Sequence, residues 1–272
     1  MGFINSIKII IRVFLQRAGF ETISHAKVVD RQTLRGSLEH SRDMGFSPGT
    51  VIDVGAANGT LELYETFPDS RHVLIDPLEE NSSCLEKIVK GLPNAEYVNA
   101  AVTKQKGSVT INVHPDLHGS SLYLECEDSD VNGVPRTVPA ITLDGLYEEH
   151  GLNGPFLIKI DVQGSELDVL SGAVKLLEVT DFVILEACLF GFFVGGPQFY
   201  DIVDFMKVSG FVVYDILVPL YRPLDGAMSQ VDLVFVKENG LFRKYHYYAT
   251  KEQRATQNEL FAAVRAGLHE SK

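Results

Sequence analysis

Cysteine is scarce in this chain. Cys84, Cys126 and Cys188 are the only three among 272 residues. They are odd in number, widely separated and without a C-x-x-C pair, which excludes a disulfide framework and leaves no zinc signature. Three ordinary thiols in a reducing, cytoplasmic compartment account for them. Basic residues are also few: 24 Lys plus Arg stand against 36 Asp plus Glu, a formal net charge of −12. That balance repels phosphate backbones and argues against a nucleic-acid partner. No apolar run is long enough to span a bilayer, and no small-residue cleavage site follows the first twenty residues, so neither a transmembrane nor a secretory segment is expected. Internal repeats and low-complexity stretches are missing too. What remains is the composition of an ordinary globular protein, 45% hydrophobic, with the length of one large domain carrying terminal helical additions.

Three regions are expected: an N-terminal helical extension over residues 1–45, an α/β domain over 46–243 and a helical tail over 244–272. In the first twenty residues Lys8, Arg12 and Arg17 occur without an acid, while Ile4, Ile7, Ile11, Phe14, Leu15 and Ala18 recur at helical spacing. This basic amphipathic helix either packs on its own domain or lies on a membrane surface as a peripheral contact. Met1-Gly2 with Ser6 also fits a myristoylation pattern.

Strands over 50–54, 71–76 and 95–102, alternating with helices over 61–67 and 79–90, read as β-α-β-α-β, and right-handed crossovers make that sheet parallel. Residues 107–143 break the rhythm. Short β-like runs at 108–114, 121–125 and 136–143, separated by Gly, Pro and acidic residues, predict a small β insertion or lid. The apolar run 155–162 resumes the pattern, and a helix presenting Leu167, Leu170, Val174 and Leu177 on one face follows it. Then come a strand at 181–188, a helix at 198–209 stopped by Gly210, and strands at 211–218 and 231–236. The segment 219–230 has no helical pattern, so the last two strands are expected to pair antiparallel. The fold class is therefore α/β: a doubly wound, Rossmann-like, seven-stranded and mostly parallel sheet with one antiparallel strand, plus N-terminal helices and the β insertion. From Lys251 on, Leu260, Phe261, Val264 and Leu268 predict a terminal helix that packs on the domain or on a second subunit of a homo-oligomer.

The densest signal lies in Val51-Ile52-Asp53-Val54-Gly55-Ala56-Ala57-Asn58-Gly59, an apolar strand running into a glycine turn, followed by Val73-Leu74-Ile75-Asp76-Pro77. Gly55 and Gly59 let backbone approach a ligand, and Asp76 ends the second strand where a ribose would lie. The dinucleotide spacing G-x-G-x-x-G is absent; the turn reads Asp53-x-Gly55-x-x-x-Gly59. An acid inside the turn suits a ligand with a cationic amino-acid end better than a pyrophosphate. S-adenosylmethionine is such a ligand.

A second signal is Lys159-Ile160-Asp161-Val162-Gln163-Gly164-Ser165-Glu166. Lys159 and Asp161 share one strand face, and Asp161 stands at the carboxyl end, where open α/β sheets bind ligands. A buried lysine needs an acidic partner, and Asp161, Glu166 and Glu186 are the candidates. Glu166 reads equally as a first-turn acid facing a helix dipole.

These residues, together with Asn99-Ala100-Ala101-Val102, Thr142-Leu143-Asp144 and Ile184-Leu185-Glu186, resemble the ordered motifs of the FkbM family of S-adenosylmethionine-dependent methyltransferases over about residues 50–236. The stretch 159–166 is similar to the family's K-I-D-V-E-G-x-E, with Gln163 in place of the usual acid. The resemblance implies a class I methyltransferase fold for the domain 46–243 and methylation of a hydroxyl oxygen, often on a saccharide or glycosylated natural product. S-adenosyl-L-methionine is expected to meet Asp53, Val54, Gly55, Ala56, Asn58, Gly59, Asp76, Pro77, Asn99, Ala100 and Asp161.

Because the sulfonium already activates the methyl group, the protein has only to align the acceptor hydroxyl and take its proton. Asp161 is the first candidate base and Glu186 the second, with Lys159 beside them; His114 or His118 in the insertion is an alternative. Asp161 reads equally as an acid that orients the cofactor or pairs with Lys159. Asp161 and Glu186 also make a conceivable Mg²⁺ pair bridging a sugar diol. Ser120-Ser121 either contacts a ligand or forms a plain turn. Two other readings compete: a noncatalytic binding partner in a glycan-assembly complex, and a nucleotide-dependent oxidoreductase, which the glycine spacing disfavours.

Overall fold

The computed structural model describes residues 31–127 and 130–270. The expected basic helix over 1–20, its membrane contact and the myristoylation pattern lie outside the described residues. Among the described helices none is long and apolar enough to cross a membrane.

In chain order the elements are α1 (Leu34–Asp43), β1 (Thr50–Val54), α2 (Leu61–Thr66), β2 (Arg71–Ile75), α3 (Glu79–Gly91), β3 (Ala95–Val98), β4 (Ala101–Val102), β5 (Gly107–Val113), β6 (Val134–Ile141), α4 (Leu143–His150), β7 (Phe156–Ile160), α5 (Glu166–Ser171), α6 (Val174–Glu178), β8 (Thr180–Cys188), α7 (Phe199–Val208), β9 (Phe211–Tyr221), β10 (Met228–Lys237) and α8 (Lys251–Glu270). The main sheet runs β3-β2-β1-β7-β8-β10-β9, with β10 antiparallel to both of its neighbours and the other pairs parallel. This is the expected seven-stranded sheet with one reversed strand.

The period-2 alternation of the buried strands divides the core between two faces. From β1 and β7, Ile52, Val54, Ile158 and Ile160 enter the cluster with Leu143, Leu170, Leu176 and Phe211. Val51 and Leu157 enter the opposite cluster with Leu38, Leu63, Leu85 and Phe182. Covered on both sides, the central strands leave only their carboxyl ends open to a ligand. Strand order reverses at β1, where β2 lies on one flank and β7 on the other, and the crevice of a doubly wound sheet opens there.

Three local expectations change, and one helix appears where none was expected. The strand predicted over 95–102 breaks at Asn99-Ala100, leaving β3 in the main sheet and β4 in a second sheet of order β4-β6-β5. The run 121–125 forms only isolated bridges, Asn112 to Ser121 and Glu125 to Phe193. Residues 143–150 are helical, because the Thr142 hydroxyl caps the Gly145 N–H at 3.0 Å. The helix expected through Leu167 to Leu177 splits at Gly172, where a Cβ would stand 2.4 Å from the Thr103 carbonyl oxygen. The second sheet is no detached lid: Ile111, Val113 and Val138 pack with Leu78 and Ala101 against the main sheet's carboxyl edge. At the other end, α8 leaves Phe261 53% exposed, so it does not pack closely on the domain as one of its two expected roles required.

Candidate active site

The site is built on one glycine. At Gly55 the chain leaves β1 with φ +75°, and a Cβ there would stand 1.9 Å from the Asp161 carbonyl oxygen. No other residue fits between the ends of β2 and β7 without backbone movement. The turn is held on both flanks: Gly55 and Ala56 donate N–H to the Ile75 carbonyl at 2.9 and 3.0 Å, and Asp161 donates to the Val54 carbonyl at 3.0 Å. Above the turn lies a cavity of about 260 Å³. Asp76 and Asp161 line it from the strand ends, Ile75, Leu78 and Ile111 give it apolar walls, and the insertion contributes His118.

Asp76 is 5% exposed. Its Oδ2 accepts the Ala57 N–H at 2.9 Å, and its Oδ1 accepts the Leu78 N–H at 2.9 Å and the Asn81 amide at 3.0 Å. Val54, Gly55, Pro77, Ala100 and Asp161 of the expected cofactor set also line the cavity, whereas Asp53, Ala56, Asn58, Gly59 and Asn99 do not. Asp53 is the chief correction. It is fully buried, and its two oxygens accept the Thr60 hydroxyl at 3.2 Å and the Tyr64 hydroxyl at 2.5 Å. Burial, and next the Asp53 charge, drive the Tyr64 phenol far above its ordinary value. Position 53 points to the opposite face of the strand from Ile52 and Val54, and its carboxylate anchors α2 to β1. Gly59 serves packing, since a Cβ there would meet the Ile88 side chain at 2.4 Å. The Asn99 amide braces the turn from behind, donating to the Asp76 carbonyl at 3.1 Å.

The second motif delivers an acid-rich cluster around one cation. Lys159 Nζ donates to Asp161 Oδ2 at 3.1 Å, so Asp161, among the three acids weighed, is the partner of the buried lysine. Burial opposes the Lys159 charge, but Asp161, Asp53 and Asp232 outweigh it and raise the ammonium above its ordinary value. Burial likewise opposes the Asp161 charge; Lys159 prevails, with hydrogen bonds from Lys159, Gln163 and Glu186, and the carboxyl lies below its ordinary value. Glu186 goes the other way. Burial, then repulsion from Asp161, Glu166 and Asp232, lifts it well above the usual range. Glu166 is 3% exposed and pushed up to about 7 by burial, even though its Oε1 accepts the Gly164 N–H at 3.0 Å and the Val162 N–H at 3.4 Å. It therefore braces the turn into α5 and leaves Lys159 to Asp161.

Three expectations fare differently. His114 lies outside the cavity lining, turned to Asp116, whose Oδ1 is 2.7 Å from its Nδ1; His118 takes the place in the lining. Ser121 lines the cavity and donates its hydroxyl to the Gln163 carbonyl at 2.5 Å. The magnesium pair is corrected. The oxygens of Asp161 accept N–H donors from Lys159 and Gln163, and Glu186 accepts them from Gln163 and Gln230, so protein donors stand where a cation would. Among the described residues no group of three or more His, Cys, Asp or Glu is arranged to hold a metal ion.

Gln230 and Asp232 were missed by sequence reasoning. Antiparallel pairing sets Asp232 opposite Glu186 and Gln230 opposite Cys188. Asp232 is pushed up to about 6, chiefly by burial. Their signal was there: Gln230 and Asp232 stand at alternate positions just ahead of the apolar run 233–236, marking one polar spot on a face of the strand.

A seven-stranded sheet of this order, one strand reversed, with a glycine turn between two carboxylates at its switch point, is the class I methyltransferase architecture. The methyltransferase FkbM domain model matches residues 53–213, more than half the chain, and the chain belongs to that family. Two curated relatives share 26% identity with it. One is the hexuronic acid methyltransferase AglP of Haloferax volcanii, aligned over 53% of this chain and 54% of the relative. The other is methyltransferase 1 of Beauveria bassiana, aligned over 51% of this chain and 64% of the relative. The chain thus spans little more than half the length of the first of them. Among solved structures, the 1,6-didemethyltoxoflavin-N1-methyltransferase of Burkholderia thailandensis superposes over 86% of this chain and 88% of its own, at 9% identity and a TM-score of 0.42, a likeness too loose to bear on function.

Proposed function

We propose that this chain is an S-adenosylmethionine-dependent O-methyltransferase whose acceptor is a hydroxyl of a saccharide or glycosylated small molecule. The observation that carries this reading is the placement of Asp76 and Asp161 on either flank of the Gly55 turn, both lining one cavity of about 260 Å³. The residues fit an adenosyl sulfonium. Asp76 follows β2 with its carboxylate fixed by three N–H donors, and a carboxylate's roughly four acceptor sites leave room for a ribose hydroxyl. Ile75, Leu78, Ile111 and Leu122 give apolar walls suited to a purine. With Asp53 sealed inside the protein, Asp161 is the acid left in the lining to face a cationic donor.

Bound there, the cofactor would supply a methyl group already activated by its positive sulfur. The chain's own tasks are then orientation and proton removal. Asp161, ionised beside Lys159, takes the acceptor hydroxyl's proton; Glu186, held behind it through Gln163, keeps its own proton and supports the Asp161 carboxylate by a hydrogen bond. The hexuronic acid methyltransferase among the relatives supports a sugar acceptor. Mass spectrometry for gain of one methyl group across a panel of glycans and small polyols, with and without a chelator, tests the reading. Products methylated only on nitrogen or carboxylate oxygen, or no binding of S-adenosylhomocysteine by calorimetry, would refute it.

A further inference from the structure

We propose that Gln163 is the positioning residue of the proton-accepting carboxyl: its side-chain amide ties Asp161, which lines the cavity, to Glu186 behind it. Gln163 Nε2 donates to Asp161 Oδ1 at 2.9 Å and reaches the Glu186 oxygens at 3.3 and 3.5 Å. An amide nitrogen has two protons, so one group can serve two carboxyls. The backbone is built for this task. Gln163 has φ +52°, a left-handed conformation that a non-glycine residue adopts at a cost, and the Ser121 hydroxyl from the insertion holds its carbonyl. On the far side, the Gln230 amide from β10 donates to Glu186 Oε1.

The chemistry explains why an amide suits this position. The charged groups around the Lys159–Asp161 pair come from every neighbouring element: Asp53 on β1, which acts on Lys159, Glu166 on α5, Glu186 on β8 and Asp232 on β10. One cation stands among five acids. The acid usual in the family at position 163 would join Asp161 and Glu186 only through a shared proton. An amide joins them with N–H donors, adds no charge and never ionises. It stabilises the ionised form of Asp161 and keeps its remaining lone pairs open.

This inference rests on Asp161 being the base. Gln163→Met keeps the side-chain length without the donors, and Gln163→Glu replaces the amide with a third acid. In both variants the acid limb of kcat against pH should move upward, by about one pH unit or more and further in the glutamate variant, since activity requires ionised Asp161 and either change disfavours that form. In Gln163→Met, kcat should fall roughly 10- to 100-fold from misplacement of the base, while the affinity for S-adenosylhomocysteine stays within about twofold. A purely structural role would lower stability or raise KM without moving the limb. If Gln163→Met does not fold, Gln230→Met, which touches only Glu186, should move the limb the same way by less. An unmoved limb, with Asp161→Asn inactive, overturns the inference. An active Asp161→Asn overturns the assignment of the base itself.

Discussion

Glu166 offers a prediction in which the direction and size of the effect both follow from geometry. Its carboxyl is 3% exposed; the Gly164 and Val162 N–H groups donate to one oxygen, Oε1, and its own backbone N–H is a third donor. Glu166→Gln therefore keeps the accepting oxygen and mimics the protonated acid. In the folded protein the group titrates near 7, raised from 4.5 chiefly by burial. A carboxyl raised on folding contributes its full stability below the unfolded value, and that contribution is lost as pH climbs toward the folded one. The window is about pH 4.5 to 7, and the loss is about 3 kcal/mol at ~1.4 kcal/mol per pH unit. The glutamine cannot titrate and escapes that loss. Urea unfolding should give equal stabilities for the two proteins near pH 4.5 and a variant more stable by about 3 kcal/mol at pH 8. Asp232 and Glu186 are present in both proteins, so their titrations cancel to first order in the difference. A gap that does not widen between the two pH values would refute the burial of an ionisable Glu166. Since Glu166 lies outside the cavity lining, S-adenosylhomocysteine affinity should be unchanged.

Other consequences are direct. Gly55→Ala places a Cβ against the Asp161 carbonyl in a left-handed backbone; it should lose cofactor binding by calorimetry and about 1–3 kcal/mol of stability by urea unfolding. Asp76→Ala removes the proposed ribose acceptor and orphans the Ala57 and Leu78 N–H groups, so calorimetry should detect no cofactor binding, and normal affinity would count against the site. Asp161→Asn should lower kcat by roughly 10²- to 10⁴-fold in a single-turnover assay while cofactor binding persists. Tyr64→Phe, which strips a hydrogen bond from buried Asp53, should cost about 1–3 kcal/mol in urea unfolding with kinetic constants unaltered, as befits a carboxylate that anchors α2 and lies outside the cavity lining.

Much of the architecture is local and was legible in the chain. Val51 to Gly59, Ile75 to Pro77 and Phe156 to Asp161 are apolar runs ending in Gly, Pro or Asp, and such runs can only be buried parallel strands whose polar ends open at one edge. The helix-free connection between β9 and β10 gave the reversed strand. The errors arose where a residue's neighbour is remote in sequence. Gly172 breaks a helix because the Thr103 carbonyl lies against it, a contact between elements some seventy residues apart.

The sequence by itself determined which strands form, where they end and that a glycine and two acids meet at the sheet's carboxyl edge, because burial periodicity and turn chemistry act over a few residues. Only the tertiary structure decided which acids face the cavity. Asp53 and Asp76 read alike along the chain, yet one is sealed beneath Tyr64 and the other lines the cavity. Lys159 has three plausible partners and takes Asp161, and Gln163 and Gln230 converge on Glu186 from separate elements. The charge a buried group carries depends on the total field of its neighbours, and that field exists only once the strands are side by side.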